Sequence, residues 1–568
     1  MSMAHNSSLL TLPVEILYHI IDYLDISTIF LSFSNVCTYC RVISNTYNRY
    51  QLDFRSISKT DFSHICLFIL PENIVSLTLS DDNKTPGEIR LFFSLFNINQ
   101  FTRLLSLTLL EINEDDLSKI LHSNITSTIT SLVIDWREAH CPSSKTLTLL
   151  SSILSRLHLR KLELKTGSYT IEEMSWPVQS TLEHIILMYV TQKQYCTILR
   201  ETPNLKTLTL NHCSMHKIDE YIATLSVPIL YEQLRSLILI DSRMTMNELI
   251  SLLSLTPSLI YLKIICLPDS FDTIANGSRW EQFISANLPL LHKFEFFFTN
   301  MYNVYYISRD VQLLISRFQT PFWLEEKHWF VICDYIDYLN QIMLYTAPLC
   351  STDFTYECQA NKISYSTLIT IETDAAITEN VHTINLTLTK LMAGVATMKN
   401  IMPNQYLFRN LTKLTIDVDQ EWTIECVEFL SKIIDLSRLD KITFNPDLNH
   451  QSIHNTLNNI HILMGLAYNL NTLAIHPYSS YDDIINMEDI CSIIPYHVKY
   501  LEVTINDINS MKVILDHHEH LWSLTLLASS DRSMPWSDFI EELIYRKKDF
   551  VYWESYYSLH IWFGQTRN

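Results

Sequence analysis

Glycine is nearly absent. The 568 residues hold six, Gly87, Gly167, Gly277, Gly394, Gly465 and Gly564, and no two lie close together. Phosphate-cradling loops and nucleophile-presenting turns need clustered glycines, because only a residue without Cβ lets backbone approach a ligand closely. Dinucleotide fingerprints, P-loops, kinase glycine loops and G-x-S-x-G hydrolase elbows are therefore excluded. Positive charge is also short, with 41 Lys and Arg against 61 Asp and Glu and a net charge of −20. That balance predicts no nucleic-acid partner and no anionic membrane surface. No apolar run reaches membrane-spanning length without a charge or a polar cluster. The opening MSMAHNSSLL has neither a basic n-region nor a small-residue cleavage site, and twelve cysteines are scattered along the chain. Together these predict an intracellular protein, cytoplasmic or nuclear, with reduced thiols.

Local catalytic and metal motifs are missing as well. Asp516-His517-His518-Glu519-His520 lacks the H-E-x-x-H spacing that puts two histidines on one helix face, and is expected to be a solvated polar loop. Cys37-Thr38-Tyr39-Cys40 has redox or half-zinc spacing but no second C-x-x-C, and is expected to be core packing. Asp81-Asp82 is expected to be a solvated loop pair. No local motif pairs a serine with a histidine as nucleophile and base. The expectation is a chain with no catalytic residues, no metal ligands and no cofactor.

What is present is apolar and periodic. Hydrophobic residues make up 47% and charged residues 18%, enough to bury a large core. One hexamer recurs: apolar, two variable, apolar, one variable, apolar. It starts at Ile74, Leu104, Ile129, Leu159, Leu182, Leu205, Leu234, Leu259 and Leu291, and again at Val381, Leu411, Leu439, Leu470, Val498 and Leu521. Within each run the starts are 23 to 32 residues apart, near the leucine-rich-repeat period. The last four positions alternate inward and outward, as a strand must. Between them lie helix starts: the capping boxes Thr191 to Gln194 and Thr245 to Glu248, and Asn113 ahead of Leu117, Ile120 and Leu121. Such units cannot bury both faces alone, so they stack into a solenoid. The predicted fold is α/β: three N-terminal helices, then a leucine-rich-repeat-like solenoid with a parallel inner sheet and outer helices. The expected division is a helical module over 10–50, a linker or solenoid cap over 51–73, repeats over 74–298, irregular or elaborated repeats over 299–380, and repeats with a C-terminal cap over 381–568. Within the irregular part, Leu339 to Leu344 is expected to be one more repeat and the rings of Trp323, Trp329 and Phe330 to plug the core. Val551 to Gly564 is expected to form one final closing strand.

The N-terminal stretch LTLPVEILYHIIDYLD, Leu10 to Asp25, carries more apolar surface than three short helices can bury among themselves. The excess must meet the adjoining solenoid or a second protein. Leu12-Pro13-x-Glu15-Ile16-Leu17, Tyr23-Leu24 and Val36-Cys37 resemble the F-box motif, with departures at Thr28-Ile29 and Cys40. The resemblance implies docking on a Skp-type adaptor, and through it a cullin, by Leu12, Pro13, Ile16, Leu17, Leu24, Val36 and Cys37. An F-box ahead of leucine-rich repeats resembles the non-catalytic substrate receptors of cullin-RING ubiquitin ligases.

The variable hexamer positions hold Lys161, Lys206, Arg235, Lys263, Lys293, Lys413, Lys441 and Lys499, with Tyr261, Tyr500 and Trp522 as aromatic anchors. They predict a mildly basic inner face suited to an acidic or phosphorylated target protein. Two alternatives stay open: a repeat scaffold without a ubiquitin role, and an enzyme whose site leaves no local motif.

Overall fold

The computed structural model describes residues 12–122, 128–137, 143–156, 158–165, 174–176, 180–213, 229–267, 271–300, 311–336, 341–355, 362–368, 377–389, 391–392, 406–446, 453–476, 486–528, 534–546 and 548–564. Leu10 and Thr11 lie outside them. Pro13 precedes α1 (Val14–Ile21); a π-type turn over Thr28–Phe33 leads into α2 (Ser34–Val36), α3 (Thr38–Thr46) and α4 (Lys59–Phe68).

The chain is an α/β fold with two large, parallel-rich sheets of 13 and nine strands. The first begins with a parallel ladder: β1 (Tyr50–Asp53), β2 (Ile74–Ser80), β3 (Ser106–Ile112), β4 (Ser131–Trp136), β5 (Lys161–Lys165), β6 (His184–Met188), β7 (Thr207–Asn211), β8 (Ser236–Ser242), β9 (Tyr261–Cys266) and β10 (Lys293–Asn300). It continues through β11 (Val331–Ile336), β12 (Gln341–Thr346) and β14 (Lys362–Ser366). The second holds β13 (Asp353–Thr355), β15 (Thr383–Thr387), β16 (Lys413–Val418), β17 (Lys441–Pro446), β18 (Thr472–Ile475), β19 (Tyr500–Ile505), β20 (Ser523–Ala528), β21 (Asp549–Glu554) and β22 (Ser558–Gly564).

Every one of the fifteen hexamers lies on a strand, and its apolar positions are the buried ones; Leu162 and Leu164 in β5 are 0% and 1% exposed. Several strands share a left-handed step near their C-terminal ends: Glu111, Tyr189, His212 and Asp241 take φ of 53°, 54°, 54° and 51°; at Glu111 and Asp241 it is a bulge, after which Ile112 and Ser242 rejoin the ladder. The expected helix caps form. Thr245 Oγ1 accepts from Glu248 N at 3.4 Å while Glu248 Oε2 accepts from Thr245 N at 2.7 Å, and Thr191 with Gln194 does the same. Asn113 Oδ1 accepts from Asp116 N at 2.9 Å.

Three expectations are corrected. Leu339 to Leu344 is not a parallel repeat: β12 runs antiparallel between β10 and β11. The link from Ile336 to Gln341 is too short for the crossover of a dozen or more residues that parallel pairing needs. The tail forms two strands, not one, because a turn at Ser555 folds β22 back between β20 and β21. Asp81 is not solvated but 4% exposed, for a reason given below. Of the three rings expected to plug the core, Trp323 and Trp329 do so, 5.8 Å apart and packed against Phe294 and Phe318, whereas Phe330 is only half-buried and belongs to neither core.

Early and late elements of the described chain meet. β22 lies against α4, and Trp562, 0% exposed, donates from Nε1 to Ile57 O at 3.0 Å and packs edge-on to Phe62 at 5.4 Å. Gly87, at φ 77°, makes room for the tail hairpin: a Cβ there would come within 2.6 Å of Val551 Cγ1. Lys59 pairs with Asp549. Away from this seam the two halves join through β11 and β12, which are buried on both faces. Cys333 and Leu344 enter the first core while Ile332 and Tyr345 enter the second. Two arcs joined at both places make a closed ring.

Candidate functional site

Two surfaces qualify. The first is the outer side of the N-terminal helices. Their inner stripe belongs to the same core as the repeats: Leu17 and Ile21 are each 1% exposed, with Leu12, Leu24 and Cys37 partly buried against them. Leu17 thus faces the core, where no partner reaches it, because helical spacing puts it one turn from Ile21 on the inward side. Pro13, Ile16 and Val36 stay on the surface. Beside them Val14, Tyr23, Tyr39 and Val42 are exposed too, and Val36 reaches 67% and Val42 56%. Sequence reasoning missed Val14, Tyr39 and Val42, although their apolar character was legible.

The second surface is the ring's interior at the seam, a cavity of 780 Å³. One wall is a cross-strand row: Lys413, Lys441, Thr472, Tyr500 and Ser523 are successive register partners across β16 to β20. The facing wall comes from Asp53, Arg55, Asp81 to Lys84, Glu111 and Arg137. Arg137 is the link between them. Its guanidinium lies 3.4 Å from the Asp81 carboxylate and 4.6 Å above the Trp553 ring of the tail hairpin. Asp81 is closed in by this guanidinium and by backbone: its Oδ1 accepts from Ile89 N at 2.8 Å. Burial pushes the Asp81 carboxyl up to about 6, against the pull of Arg137. Burial, with Asp135 nearby, brings Glu111 to about 7. His560 is 4% exposed, hydrogen-bonded to Thr525 Oγ1 at 3.1 Å and Ser558 Oγ at 2.8 Å. Its burial, with Arg137 close by, lowers it to about 4.

The inner-face bases are mostly occupied. Lys161 lies 3.3 Å from Glu163, Lys206 2.6 Å from Glu183, Lys293 2.7 Å from Glu295 and Lys441 3.4 Å from Glu502. Tyr261 OH donates to Glu295 at 2.6 Å, and Arg235 Nη1 donates to Ser258 O at 3.3 Å. Lys263 is half-buried on β9 and Lys413 exposed on β16. Lys499 sits over the rings of Tyr496 and the half-buried Trp522, at 5.7 and 5.6 Å. Tyr500 is 5% exposed because Lys84, which also reaches Asp440 at 3.7 Å, covers its ring at 4.6 Å. It is closed off as an anchor by the opposite end of the chain, a contact no repeat-level pattern signals. The histidine-rich stretch is not a fully solvated loop either: His518 is buried, with Nε2 3.0 Å from Cys491 O.

Among the described residues no group of three metal-ligating side chains is arranged to hold an ion, and no helix is long and apolar enough to cross a membrane.

No family model matches the chain, and no curated protein does. Among solved structures it is similar to a chain in the crystal structure of the Rad7 and Elc1 complex in yeast, at 12% identity and a TM-score of 0.27, covering 77% of this chain and 88% of that one.

Proposed function

We propose that this chain is the substrate-recognition subunit of a Skp–cullin–F-box type ubiquitin ligase. The N-terminal helices dock on a Skp-type adaptor and the repeat ring holds a target protein. One observation carries the proposal: the F-box-like register coincides with an uncovered apolar surface. Pro13, Ile16 and Val36 of that register are exposed, next to Val14, Tyr39 and Val42. That many large apolar side chains within thirty residues of chain mark a surface built to be covered. Leu17 and Leu24 turn into the core that the helices share with the repeats, and α4 packs on the Thr28–Phe33 turn, so a docked adaptor would be held in a fixed position relative to the ring. A receptor of this kind forms and breaks no bonds; it raises the local concentration of a target and fixes its geometry.

The test is co-expression with a Skp-type adaptor, comparing wild type with an Ile16→Asp, Val36→Asp double variant. Both side chains are exposed, so the variant keeps its fold. Stoichiometric capture by the wild type alone supports the proposal. Absence of capture by well-folded wild type sinks it and leaves the interaction-scaffold alternative.

A further inference from the structure

Cys37 and Cys40 have a geometry that core packing does not require. Cys37 is the N-cap of α3, extended at φ −163° and ψ 171°, and its Sγ accepts from Cys40 N at 3.4 Å. The two sulfurs are 3.6 Å apart. Cys37 is half-exposed while Cys40 is 1% exposed. One thiol thus faces an incoming reagent and the other waits behind it, within reach. A thiolate at a helix N-terminus is favoured by the unpaired N–H groups and the helix dipole. The Cys40 backbone N–H holds the Cys37 thiol below its ordinary range, whereas burial, helped by neighbouring Cys37, raises Cys40. Five other described cysteines contrast with Cys37: burial pushes Cys66, Cys213, Cys333, Cys350 and Cys491 up to about 12. No further ligands stand by to make the pair half of a metal site among the described residues.

We propose that Cys37 and Cys40 form a redox-active dithiol, oxidised reversibly by hydrogen peroxide to an intramolecular disulfide, with Cys37 attacking and Cys40 resolving. The Cys37 thiolate attacks one peroxide oxygen. An S–O bond forms, the O–O bond breaks, and the departing hydroxide takes a proton to become water. The Cys40 sulfur then attacks the sulfenic sulfur of Cys37. An S–S bond forms, the S–O bond breaks, and the hydroxyl leaves as a second water with the proton from Cys40. Two thiols lose two electrons in all, and one peroxide is reduced to two waters. A thiol reductant reverses the change by exchange.

A consequence rests on the proposed adaptor docking. Cys37 adjoins exposed Val36 in that surface, so a docked adaptor would cover the attacking thiol and a disulfide would alter the docking corner. By linkage each opposes the other.

The experiment uses the full reduced chain, treated with hydrogen peroxide, alkylated, and mapped by peptide mass so that each cysteine is read separately. The expected product is a Cys37–Cys40 disulfide that a thiol reductant reopens. Cys40→Ser is expected to stop at a Cys37 sulfenic acid, trapped by a dimedone probe, and Cys37→Ser to leave Cys40 unmodified. Alkylation of Cys37 in Cys40→Ser is expected to have a pH midpoint below that of an ordinary thiol. Failure to form the linked peptide, oxidation of Cys40 in Cys37→Ser as fast as in wild type, or an ordinary midpoint each overturns the proposal. In the adaptor arm, oxidation is expected to weaken capture about tenfold, an ordinary size for coupled sites. A disulfide that forms in a chain whose reduced state captures no adaptor would remove the receptor reading and leave the dithiol standing. Capture by a reduced chain that never forms the disulfide would do the reverse.

Discussion

Replacing Trp562 by alanine tests the closed ring. The indole is fully buried and belongs to the core of the first arc, whereas its chain neighbours Ile561 and Phe563 belong to the core of the second. Its loss therefore falls on the contact between arcs. Truncating a buried tryptophan costs about 3–5 kcal/mol. The Ile57 carbonyl, which accepts from Nε1 at 3.0 Å, is left unsatisfied at about 1 kcal/mol more. Typical native stabilities are only about 5–15 kcal/mol, so this loss is enough to open the seam while each arc keeps its own core. Small-angle scattering should show a larger radius of gyration for Trp562→Ala in native buffer. Urea denaturation should show its first transition destabilised by about 3–5 kcal/mol. Trp562→Phe keeps a ring beside Phe62 but loses the hydrogen bond and part of the indole's packing, and should cost about 1–3 kcal/mol, less than the alanine variant. A Trp562→Ala chain with unchanged radius and a first transition shifted by less than about 1 kcal/mol would refute the reasoning.

Gly87→Ala should destabilise the seam by about 1–2 kcal/mol from the positive φ alone, plus the clash with Val551. Adding Val551→Ala should recover the clash and not the backbone part, a split that equilibrium unfolding of the three variants measures. Arg137→Met leaves the Asp81 carboxylate buried without its partner and should cost about 3–5 kcal/mol. Asp81→Asn in the same chain should recover much of that in a double-mutant cycle. His560 carries a pH signature. Its folded pKa is lowered from 6.5 to about 4, so its contribution is present above 6.5 and lost as pH falls through that window, by about 3 kcal/mol at the acid end. Asp81 runs the other way: its carboxyl is raised from 3.8 to about 6, so protonation below 6 favours the fold. His560→Gln should therefore leave the chain more stable in acid, relative to its own value at pH 7, than wild type. Melting temperatures across that range decide it.

Much of the ladder was legible. The strand periodicity sits in each hexamer, and the caps at Thr191, Thr245 and Asn113 need only three neighbouring residues. The candidate site was legible in part. The apolar excess of the N-terminal helices pointed to a covered surface, yet Leu17 and Ile16 are adjacent apolar residues. Which of them turns inward depends on how the helix sits on the repeats. The bases of the inner face were visible as residues, but some of their acids are far off in sequence: Glu183 reaches Lys206 from the neighbouring repeat, and Glu502 reaches Lys441 from two strands away. A count of charges along the chain does not show that they neutralise one another.

The sequence by itself determined the repeating unit: which residues are strand, which are buried, where helices begin, and that the units stack. Burial alternation and capping are local, acting over two to four residues, so they are written in local order. Only the tertiary structure decided that the stack closes. Lys59 meets Asp549 and Ile57 meets Trp562, pairs separated by 490 and 505 residues. Their meeting depends on small rotations summed over every repeat and on the antiparallel turn through β11 and β12. No single hexamer carries that sum, and so none announces the ring, the buried Asp81 or the covered Tyr500.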